Sequence, residues 1–547
     1  MKKARLISLL LAAAMMVALF AGCGPKEQQE TPAPTESEKV EVNIDHGENI
    51  QIPAEDLTDP QELTIGVQND VGSMDPGGTA TSGKRMMRPL IYEPLFTEGF
   101  DGEWVPRIGK TLEYLGDGKY KIELFDYVKD SAGNPLKASD VVYAWEVQFR
   151  EGLDDYSYVK DLKATGDYTV EFTFEPNELA SLNLLLELNV YTQKAHEDSG
   201  DGLAGHPVGT AGYVMTDSVI GASYTFEKRD NYWQTDEQYI NEFNQFTLDK
   251  ITIKVITDTN AIAVALQRGE IDYSPDVAAA DYANFMSGAT ALDGYSLCVG
   301  PDTAFCRLVF NCGEKSVCQD ENLRKAIAYA IDADACRYNV HGDLGYTLKN
   351  AYNPGFMDAD ESLDLDDYYN YNVDKAKELV KNSSYDGETI RILVQPNKNI
   401  KPAATLIQQY LAEIGVKVEL LQYEFAQYKP LKWDESGTGW DIHLEGVSSS
   451  DKYAYQGLEE LGMTHADGTN YCYIKDEKLA ELYAAVASPE TSGVEATRAL
   501  LAENYEHCYN YALYYGVRVS IGKDYVKSVF ASPNSGGPVF TCAYIEK

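Results

Sequence analysis

One glycine-rich stretch has residue types that could hold a phosphate group. Residues 78–84 read GTATSGK and share the two glycines and the lysine of a phosphate-binding loop. The next residue is Arg85, where such a loop needs a serine or threonine to bind Mg²⁺. A turn-like DPG sequence at 75–77 precedes the stretch, whereas a phosphate-binding loop follows a strand. We therefore predict no nucleotide site here.

The chain also lacks the motifs of common hydrolases and metal sites. It contains no G-x-S-x-G, no H-E-x-x-H and no EF-hand loop, and its seven histidines show no metal-like pairing. The sequence therefore predicts a binding protein and not an enzyme, with no catalytic residue, no metal and no cofactor. A surface enzyme and an adhesive surface protein remain the competing classes, and the absence of internal repeats disfavours the second.

The nine cysteines do not decide the fold. Five of them lie close together in sequence, at Cys298, Cys306, Cys312, Cys318 and Cys336. Zinc sites favour cysteines separated by two to four residues, and no such pair occurs. A disulfide between Cys312 and Cys318 and a set of buried thiols are both compatible with this spacing.

The N-terminus has the pattern of an export signal that ends at a cysteine. A positively charged start precedes an uncharged apolar run at 6–20, which is short for a membrane span. Residues 19–23 (LFAGC) resemble the bacterial lipobox, with Phe20 where leucine is usual. The pattern predicts a signal peptide at 1–22 and lipidation of Cys23, which would hold the protein at the extracellular face of the cell membrane.

Composition separates a tether from a large folded body. Residues 23–59 are rich in proline and polar residues without an apolar period, so we expect the lipidated cysteine and a disordered tether there. The chain of 547 residues is 44% hydrophobic, which is enough for a large core. The formal net charge of −40 makes nucleic acid a poor partner.

The body reads as mixed α/β. Alternating apolar residues predict strands at 63–67, 119–125, 169–174 and 251–255. Helical periodicity predicts a helix that Ser139 can cap, a helix from Asp258 that stops at Gly269, and a helix over 320–331. Residues 390–421 have the pattern strand, helix, strand, which implies parallel strands.

Several short segments, taken in order, resemble one protein family. The segments are 88–95 (RPLIYEPL), 135–142 (PLKASDVV), 206–213 (HPVGTAGY), 229–233 (RDNYW), 265–272 (ALQRGEID), 310–312 (FNC), 323–327 (LRKAI) with Asp332, and 373–376 (VDKA). They resemble the peptide/nickel-type (family 5) extracellular solute-binding proteins of ABC importers, and the match runs from about residue 60 to 547. Physically, Gly209, Gly212 and Gly269 suit turns or caps, and we expect 231–233 to pack a loop onto the core.

The resemblance implies a two-lobed clamp of the periplasmic-binding-protein type, class II and of the large cluster-C kind, with an inserted extra subdomain. Lobe I would comprise 60–93, 208–300 and 516–547, the inserted subdomain 94–207, and lobe II 301–515. The chain would cross between the lobes near 299–306 and 515–519. Closure around a ligand would then be a shift of population.

The resemblance also implies a function. The protein would be a monomeric lipoprotein that captures a dipeptide or oligopeptide and delivers it to the membrane permease subunits of an ABC importer. Within the same fold, the solute could instead be an oligosaccharide, a metal chelate or a signalling peptide, and the sequence leaves these alternatives open.

Peptide-binding members of the family hold the α-ammonium group of the peptide with an acidic residue of lobe II. The corresponding stretch here is 440–451 (WDIHLEGVSSSD). An ungapped comparison places Ser450 at the acidic position and Asp451 one residue later. Because a buried ammonium group needs a carboxylate, we expect Asp451, Ser450 and Trp440 to form the ligand site. Asp441 is expected to be structural, and Leu444 stands where some members carry a basic residue.

Overall fold

A long mixed β-sheet runs through most of the chain and organises the structure. The computed structural model describes residues 50, 57, 59–70, 72–77, 82–100, 103–150, 158–175, 177–395, 400–432, 438–446, 452–458, 472–533 and 537–547. All of them belong to one unit, Val42–Lys547. The predicted signal peptide, the predicted lipidation site Cys23 and nearly all of the predicted tether lie outside the described residues.

The strands and helices of the described residues alternate along the chain. The strands are β1 (Glu62–Val67), β2 (Phe96–Glu98), β3 (Trp104–Pro106), β4 (Gly109–Gly116), β5 (Lys119–Leu124), β6 (Val159–Gly166), β7 (Thr169–Phe174), β8 (Tyr213–Val219), β9 (Ser223–Lys228), β10 (Lys250–Val255), β11 (Tyr273–Ser274), β12 (Met286–Ser287), β13 (Thr290–Ala291), β14 (Tyr295–Phe310), β15 (Gly345–Thr347), β16 (Thr389–Val394), β17 (Lys417–Gln422), β18 (Ile442–Gly446), β19 (Asn510–Lys523), β20 (Val526–Lys527), β21 (Phe530–Ala531), β22 (Pro538–Val539) and β23 (Tyr544–Ile545). The α-helices are α1 (Ser82–Ile91), α2 (Ala138–Arg150), α3 (Leu179–Leu186), α4 (Gln193–Ser199), α5 (Thr259–Arg268), α6 (Glu321–Ala330), α7 (Ala333–His341), α8 (Val373–Asn382), α9 (Lys401–Glu413), α10 (Phe425–Lys432), α11 (Ala454–Leu458), α12 (Glu477–Ala487) and α13 (Val494–His507). Short 3₁₀ turns occur at Glu237–Tyr239, Ala279–Asn284, Val317–Gln319 and Glu361–Leu363.

The main sheet has a parallel group of strands on each side of a long antiparallel pair. Its order is β17-β16-β18-β14-β19-β11-β1-β10-β9-β8, and β15 also pairs with β19. On one side β16 is parallel to both β17 and β18, and on the other β1 is parallel to both β10 and β11. The predicted strand–helix–strand unit over 390–421 is confirmed as β16, α9 and β17.

The two longest strands, β14 and β19, connect the two sides. They have 16 and 14 residues and pair antiparallel along most of their length, with register shifts between Pro301 and Phe305 and between Cys306 and Arg307. The crossings expected near 299–306 and 515–519 fall within these strands. The boundaries of the lobes and of the insertion stay predictions.

The segment expected to be an inserted subdomain has its own small sheet and core. The antiparallel sheet β4-β5-β7-β6 packs against α2. Tyr120, Phe172 and Trp145 are buried in this core, and the Trp145 and Phe172 rings meet edge to face. The apolar faces of two strands and one helix therefore enclose a core separate from those of the main sheet.

Helix ends follow their capping residues, as the sequence predicts. The Asp258 side chain accepts from the backbone N–H groups of Asn260 and Ala261 at the start of α5, and Gly269 ends that helix with φ +71°. Asp320 caps α6 by accepting from the N–H of Leu323. Both helices are confirmed. The helix that Ser139 was expected to cap is present, but it begins at Ala138, so Ser139 lies in its first turn and the predicted cap is wrong.

Two of the glycines have a different role from the predicted one. A Cβ atom on Gly209 would lie 2.1 Å from the Ile91 carbonyl oxygen, and one on Gly212 would lie 2.2 Å from the Phe246 ring. The expectation of turns or caps is therefore wrong for Gly209 and Gly212. The chain needs glycine there because other parts of the protein approach the backbone closely.

Residues 231–233 pack onto the core, as expected. Tyr232 Oη donates to Glu93 Oε1 at 2.7 Å, and Trp233 Nε1 donates to Glu93 Oε2 at 2.9 Å. Arg107 also binds Glu93 Oε1 at 2.9 Å. The Glu93 carboxylate is fully buried, so these donors satisfy a charge that would otherwise be costly to bury.

None of the helices in the described part of the chain combines the length and the apolar character that a membrane span requires. Among the eight cysteines that the structure describes, none is in a disulfide. The Cys312–Cys318 disulfide that the spacing allowed is therefore not formed in this structure.

Candidate ligand site at the strand crossing

The carboxyl ends of the parallel strands on both sides of the main sheet point toward the same part of β14 and β19. Ser274, which ends β11, lies opposite Ile521 of β19. Gly446, which ends β18 on the other side, lies opposite Cys306 of β14. The irregular stretch between residues 301 and 305 separates these two positions. Open α/β sheets bind ligands beyond the carboxyl ends of their strands. Two such edges therefore face the stretch of β14 and β19 around residues 301–305 and 515–518. We call this stretch the crossing, because there the chain passes from one side of the main sheet to the other.

A pair of opposite charges lies at the crossing. Arg518 Nη2 of β19 is 3.3 Å from Asp302 Oδ1 of β14. Their side chains are 37% and 24% exposed, respectively. Asn353 Nδ2 donates to the Asp302 carbonyl oxygen at 3.0 Å. The crossing is therefore polar and partly open to solvent.

The edge formed by β1 and β11 carries ordered polar groups. Asp276 Oδ2 accepts from the Gln68 backbone N–H at 2.8 Å, and Asp276 N–H donates to Ser274 Oγ at 3.0 Å. Burial raises the pKa of Asp276. Tyr224 Oη donates to Asp70 Oδ1 at 2.6 Å. This edge offers carboxylate and amide groups, whereas no basic side chain takes part in these contacts.

Lys452, which follows β18 in sequence, contacts two acidic residues of the segment 94–207. Its Nζ atom is 3.6 Å from Glu98 Oε2 and also pairs with Glu187 Oε2. The Lys452 and Glu98 side chains are only 13% and 4% exposed. Burial raises the pKa of Glu98 to about 7, a shift that the charge of Lys452 opposes and that of Glu187 reinforces. We call Glu98, Glu187 and Lys452 the cleft cluster.

Helix α3 adds neutral contacts between the same two segments. Tyr453 Oη donates to Asn183 Oδ1 at 3.0 Å, and the Ala180 backbone N–H donates to Tyr455 Oη at 2.9 Å. Met357, whose Sδ lies 3.2 Å from Asn183 Nδ2, donates its backbone N–H to the Lys452 carbonyl oxygen at 2.8 Å. These bonds link the segment 94–207 to residues 357 and 452–455, which are far away in sequence.

The predicted ligand residue Trp440 is buried. Its side chain is 1% exposed, and Nε1 donates to the Lys432 carbonyl oxygen at 3.2 Å. The ring meets His443 edge to face, with a centroid distance of 4.8 Å. In this conformation the indole presents no surface to a solute, so a direct contact with ligand stays a prediction.

The structural role expected of Asp441 is confirmed. Arg391 donates to both of its carboxylate oxygens, from Nε to Oδ2 at 2.9 Å and from Nη2 to Oδ1 at 3.1 Å. Ser316 Oγ donates to Oδ1 at 3.0 Å. Leu444, at the position where some family members have a basic residue, is fully buried. Asp451, Ser450 and Cys23 lie outside the described residues, so their predicted roles stay predictions.

A buried group of charges lies on the side of the main sheet that contains β16, β17 and β18. The sequence did not predict it. Arg307 Nη2 is 2.8 Å from Glu445 Oε1, and Lys432 Nζ is 2.7 Å from Glu445 Oε2. His443 Nδ1 is 3.4 Å from the same Oε2 atom. Burial alone would raise the pKa of Glu445, but Lys432, His443 and Arg307 hold it well below the usual range. We call these four residues the buried quartet.

Neither group of charges has a sequence signal of its own. Glu445 and His443 are two residues apart on one strand, which places them on the same face. Arg307 lies opposite Glu445 on the neighbouring strand β14, which is far away in sequence. Glu98 and Lys452 are separated by most of the chain. The alternation at 442–446 places His443 and Glu445 on the face opposite Ile442 and Leu444, which predicts an exposed face, whereas the structure buries both faces of this strand.

Comparison with known proteins gives the family. The model of the bacterial extracellular solute-binding proteins, family 5 (middle region), matches residues 103–465. The dipeptide-binding protein of Escherichia coli is 24% identical over 362 residues, which are 60% of this chain and 64% of that protein. The oligopeptide-binding protein AppA of Bacillus subtilis is 23% identical over 370 residues, 61% of this chain and 65% of that protein. The heme-binding protein A of Haemophilus influenzae is 26% identical over half of this chain and 49% of its own length. The chain thus spans at most about two thirds of these relatives.

Solved structures give the fold. HbpA2 from Haemophilus parasuis superposes with a TM-score of 0.78 at 19% identity, covering 89% of this chain and all of that one. The unliganded open form of the murein tripeptide-binding protein MppA superposes with a TM-score of 0.74 at 17% identity, covering 91% of this chain and 98% of that one. The predicted two-lobed α/β fold is confirmed. Because the family model spans residues 103–465, the chain belongs to the bacterial extracellular solute-binding proteins of family 5.

Proposed function

We propose that this protein captures short peptides at the strand crossing and delivers them to the permease subunits of an ABC importer. The observation that carries the proposal is the convergence of two carboxyl edges, one from each side of the main sheet, on the crossing of β14 and β19. A solute held there touches both lobes at once. Its binding free energy would therefore favour the closed form over the open one.

The peptide class is supported by the names of relatives. Two of the relatives described above are named for dipeptide or oligopeptide binding. The crossing also offers an extended ligand both carboxylates and cations, as Asp302, Arg518 and the cleft cluster illustrate. Main-chain hydrogen bonds of an extended peptide would supply affinity without requiring one side-chain sequence.

The α-ammonium group of the peptide is expected to meet Asp451. This residue follows the carboxyl end of β18 by five positions and directly precedes Lys452 of the cleft cluster. Ser450 would donate or accept a further hydrogen bond, and Trp440, which is buried in this conformation, would contact the ligand. The protein would act by binding alone, as its family does, and would catalyse no reaction.

Tethering is the second part of the proposal. The LFAGC sequence before the proline-rich segment suggests a lipid on Cys23 and a monomer held at the outer face of the membrane. Cys23→Ser should release the protein or leave it unprocessed. Fractionation of cells tests this, with Cys542→Ser as a control because Cys542 is buried and stands near the other end of the sequence. Membrane retention of processed Cys23→Ser protein would contradict the lipid anchor.

Calorimetry with matched peptides tests the binding function. We expect a di- to pentapeptide with a free amino terminus to bind, and its N-acetylated form to bind at least tenfold more weakly, because acetylation removes the charge that the carboxylate recognises. Small-angle scattering should show compaction when the free peptide is added. If no peptide binds, the peptide assignment is wrong; mass spectrometry of the co-purified solute would then identify a sugar, a chelate or another occupant.

A further inference from the structure

Three potential metal ligands meet where the start of α12 lies against the end of α13, away from the crossing. One oxygen of Asp476, one oxygen of Glu503 and one ring nitrogen of His507 all lie within 4.8 Å of one another. Glu503 is buried, whereas Asp476 and His507 are half-buried. Carboxylate oxygen and imidazole nitrogen are ligands that suit Zn²⁺ and similar divalent cations.

Local helix geometry produces this arrangement. Asp476 caps the N-terminus of α12 and accepts from the Leu479 backbone N–H at 3.1 Å. Glu503 and His507 lie four residues apart in the last turns of α13, which places them on the same face of that helix. The tight packing of α12 against α13 then brings the capping carboxylate to the other two groups.

His507 is held in an orientation typical of a metal ligand. Its Nδ1 atom is 2.8 Å from Glu321 Oε2, and its ring stacks on Tyr509 with a centroid distance of 5.4 Å. Arg324 also donates to the His507 carbonyl oxygen. Metal-binding histidines usually donate their other ring N–H to a carboxylate, which fixes the tautomer and directs the remaining lone pair at the metal.

The remaining nitrogen faces the two carboxylates. His507 Nε2 is 3.3 Å from Glu503 Oε1. In a tetrahedral zinc site with bonds of about 2.0–2.1 Å, neighbouring ligand atoms are also about 3.3 Å apart. Lys478 pairs with the other oxygen, Glu503 Oε2. Tyr509 Oη donates to Asp476 Oδ2 at 2.8 Å and leaves that oxygen with an unused lone pair.

We propose that Asp476, Glu503 and His507 bind one Zn²⁺ ion, with Glu321 as the residue that orients His507. Water would complete the coordination, because the site is partly exposed. Lys325 pairs with Glu321 and Lys478 pairs with Glu503. A doubly charged cation would compensate the charge that these two lysines leave on the three carboxylates of Asp476, Glu503 and Glu321. This site is independent of the ligand at the crossing and does not depend on the proposed transport function.

Zinc titration of the metal-free full chain tests the proposal. We expect calorimetry to give one Zn²⁺ per chain and Co²⁺ to give the visible absorption of a four-coordinate site. His507→Ala should weaken binding at least 100-fold, whereas Glu321→Gln should weaken it about 10–100-fold, as loss of an orienting carboxylate does. Zn²⁺ should also raise the melting temperature of the parent protein but not that of His507→Ala.

Control variants keep the result interpretable. His206→Ala removes an exposed histidine that lies 3.7 Å from Asp201 without a third ligand, and it should bind zinc like the parent. Asp476→Asn retains the helix cap but should still lose affinity, so a folding defect cannot explain that loss. The proposal is overturned if the parent binds no Zn²⁺ up to about 1 mM, or if His507→Ala and Asp476→Asn bind as tightly as His206→Ala.

Discussion

The buried quartet and the cleft cluster use the same kinds of side chain in opposite ways. In the buried quartet, Arg307, Lys432 and His443 surround the single carboxylate of Glu445. In the cleft cluster, two carboxylates share Lys452. The first group holds strands and a helix of one side of the sheet together. The second joins the segment 94–207, which carries both carboxylates, to Lys452.

The difference in charge balance has a direct consequence for titration. The cations around Glu445 hold its pKa well below the usual range, so this carboxylate stays ionised. Burial raises the pKa of Glu98 to about 7, so this carboxylate can gain or lose a proton near neutral pH. Several cations around one buried carboxylate thus keep Glu445 ionised, whereas one lysine shared by two carboxylates leaves Glu98 able to titrate near neutral pH.

Glu445→Ala should have the largest effect on stability. It leaves Arg307 and Lys432 buried without a carboxylate, and breaking a buried ion pair in this way costs about 3–5 kcal/mol. Urea unfolding at pH 7 measures the change. Glu113→Ala serves as the control because Glu113 forms an exposed pair with Lys121, and exposed pairs contribute at most about 1 kcal/mol. Equal destabilisation by the two variants would show that the buried quartet contributes no more to stability than an exposed ion pair.

Asp451→Ala should show the reverse pattern, with loss of binding and little loss of stability. If Asp451 holds a peptide ammonium group, its removal weakens the binding of short peptides by about 2–5 kcal/mol. Calorimetry measures the affinity, and Asp366→Ala, which removes an exposed carboxylate, is the control. Affinity equal to that of the parent would exclude Asp451 from the site.

Glu98→Gln tests the titratable carboxylate directly. Because the folded pKa of about 7 is above the ordinary value of 4.5, the folded protein keeps a proton that the unfolded chain loses between these values, and stability falls as pH rises through that window. Glutamine stays neutral throughout. The variant should therefore match the parent below pH 4.5 and become more stable than it by up to about 3 kcal/mol above pH 7.

Unfolding free energies at pH 4.5, 6 and 8 provide this comparison. Glu113→Gln is the matched control, because its carboxylate lies at the surface. A stability difference between Glu98→Gln and the parent that does not change with pH would show that Glu98 ionises normally in the folded protein.

Tyr114→Phe should have the smallest effect. Tyr114 Oη donates to Glu490 Oε1 at 2.7 Å in an exposed bond, and it accepts from the Gly118 backbone N–H at 3.3 Å and from Asn177 Nδ2 at 3.1 Å. Water can replace the exposed partner, and a neutral hydrogen bond contributes little net free energy, so we expect a loss of about 1 kcal/mol in thermal unfolding. A loss as large as that of Glu445→Ala would mean that this surface contact contributes as much to stability as the buried quartet does.

Local signals in the sequence determined the elements and the family. Asp258 and Gly269 mark both ends of α5, and the pattern over 390–421 became β16, α9 and β17. Such predictions succeed because a cap or an apolar period acts within a few residues. The ordered segments from 88–95 to 373–376 similarly indicated the family and its two-lobed fold.

Only the tertiary structure decided which charges meet. Arg307, Lys432 and Glu445 come together through strand pairing and helix packing. Glu98 and Lys452 come into contact although they are far apart in sequence. The sequence predicted no metal site, because the histidines show no metal-like pairing. The three ligands proposed for zinc meet only through the packing of α12 on α13. Gly209 illustrates the same limit, because the Ile91 carbonyl that excludes a side chain there comes from another segment. The physical reason is that burial and electrostatic environment depend on contacts between distant segments, which local periodicity does not encode.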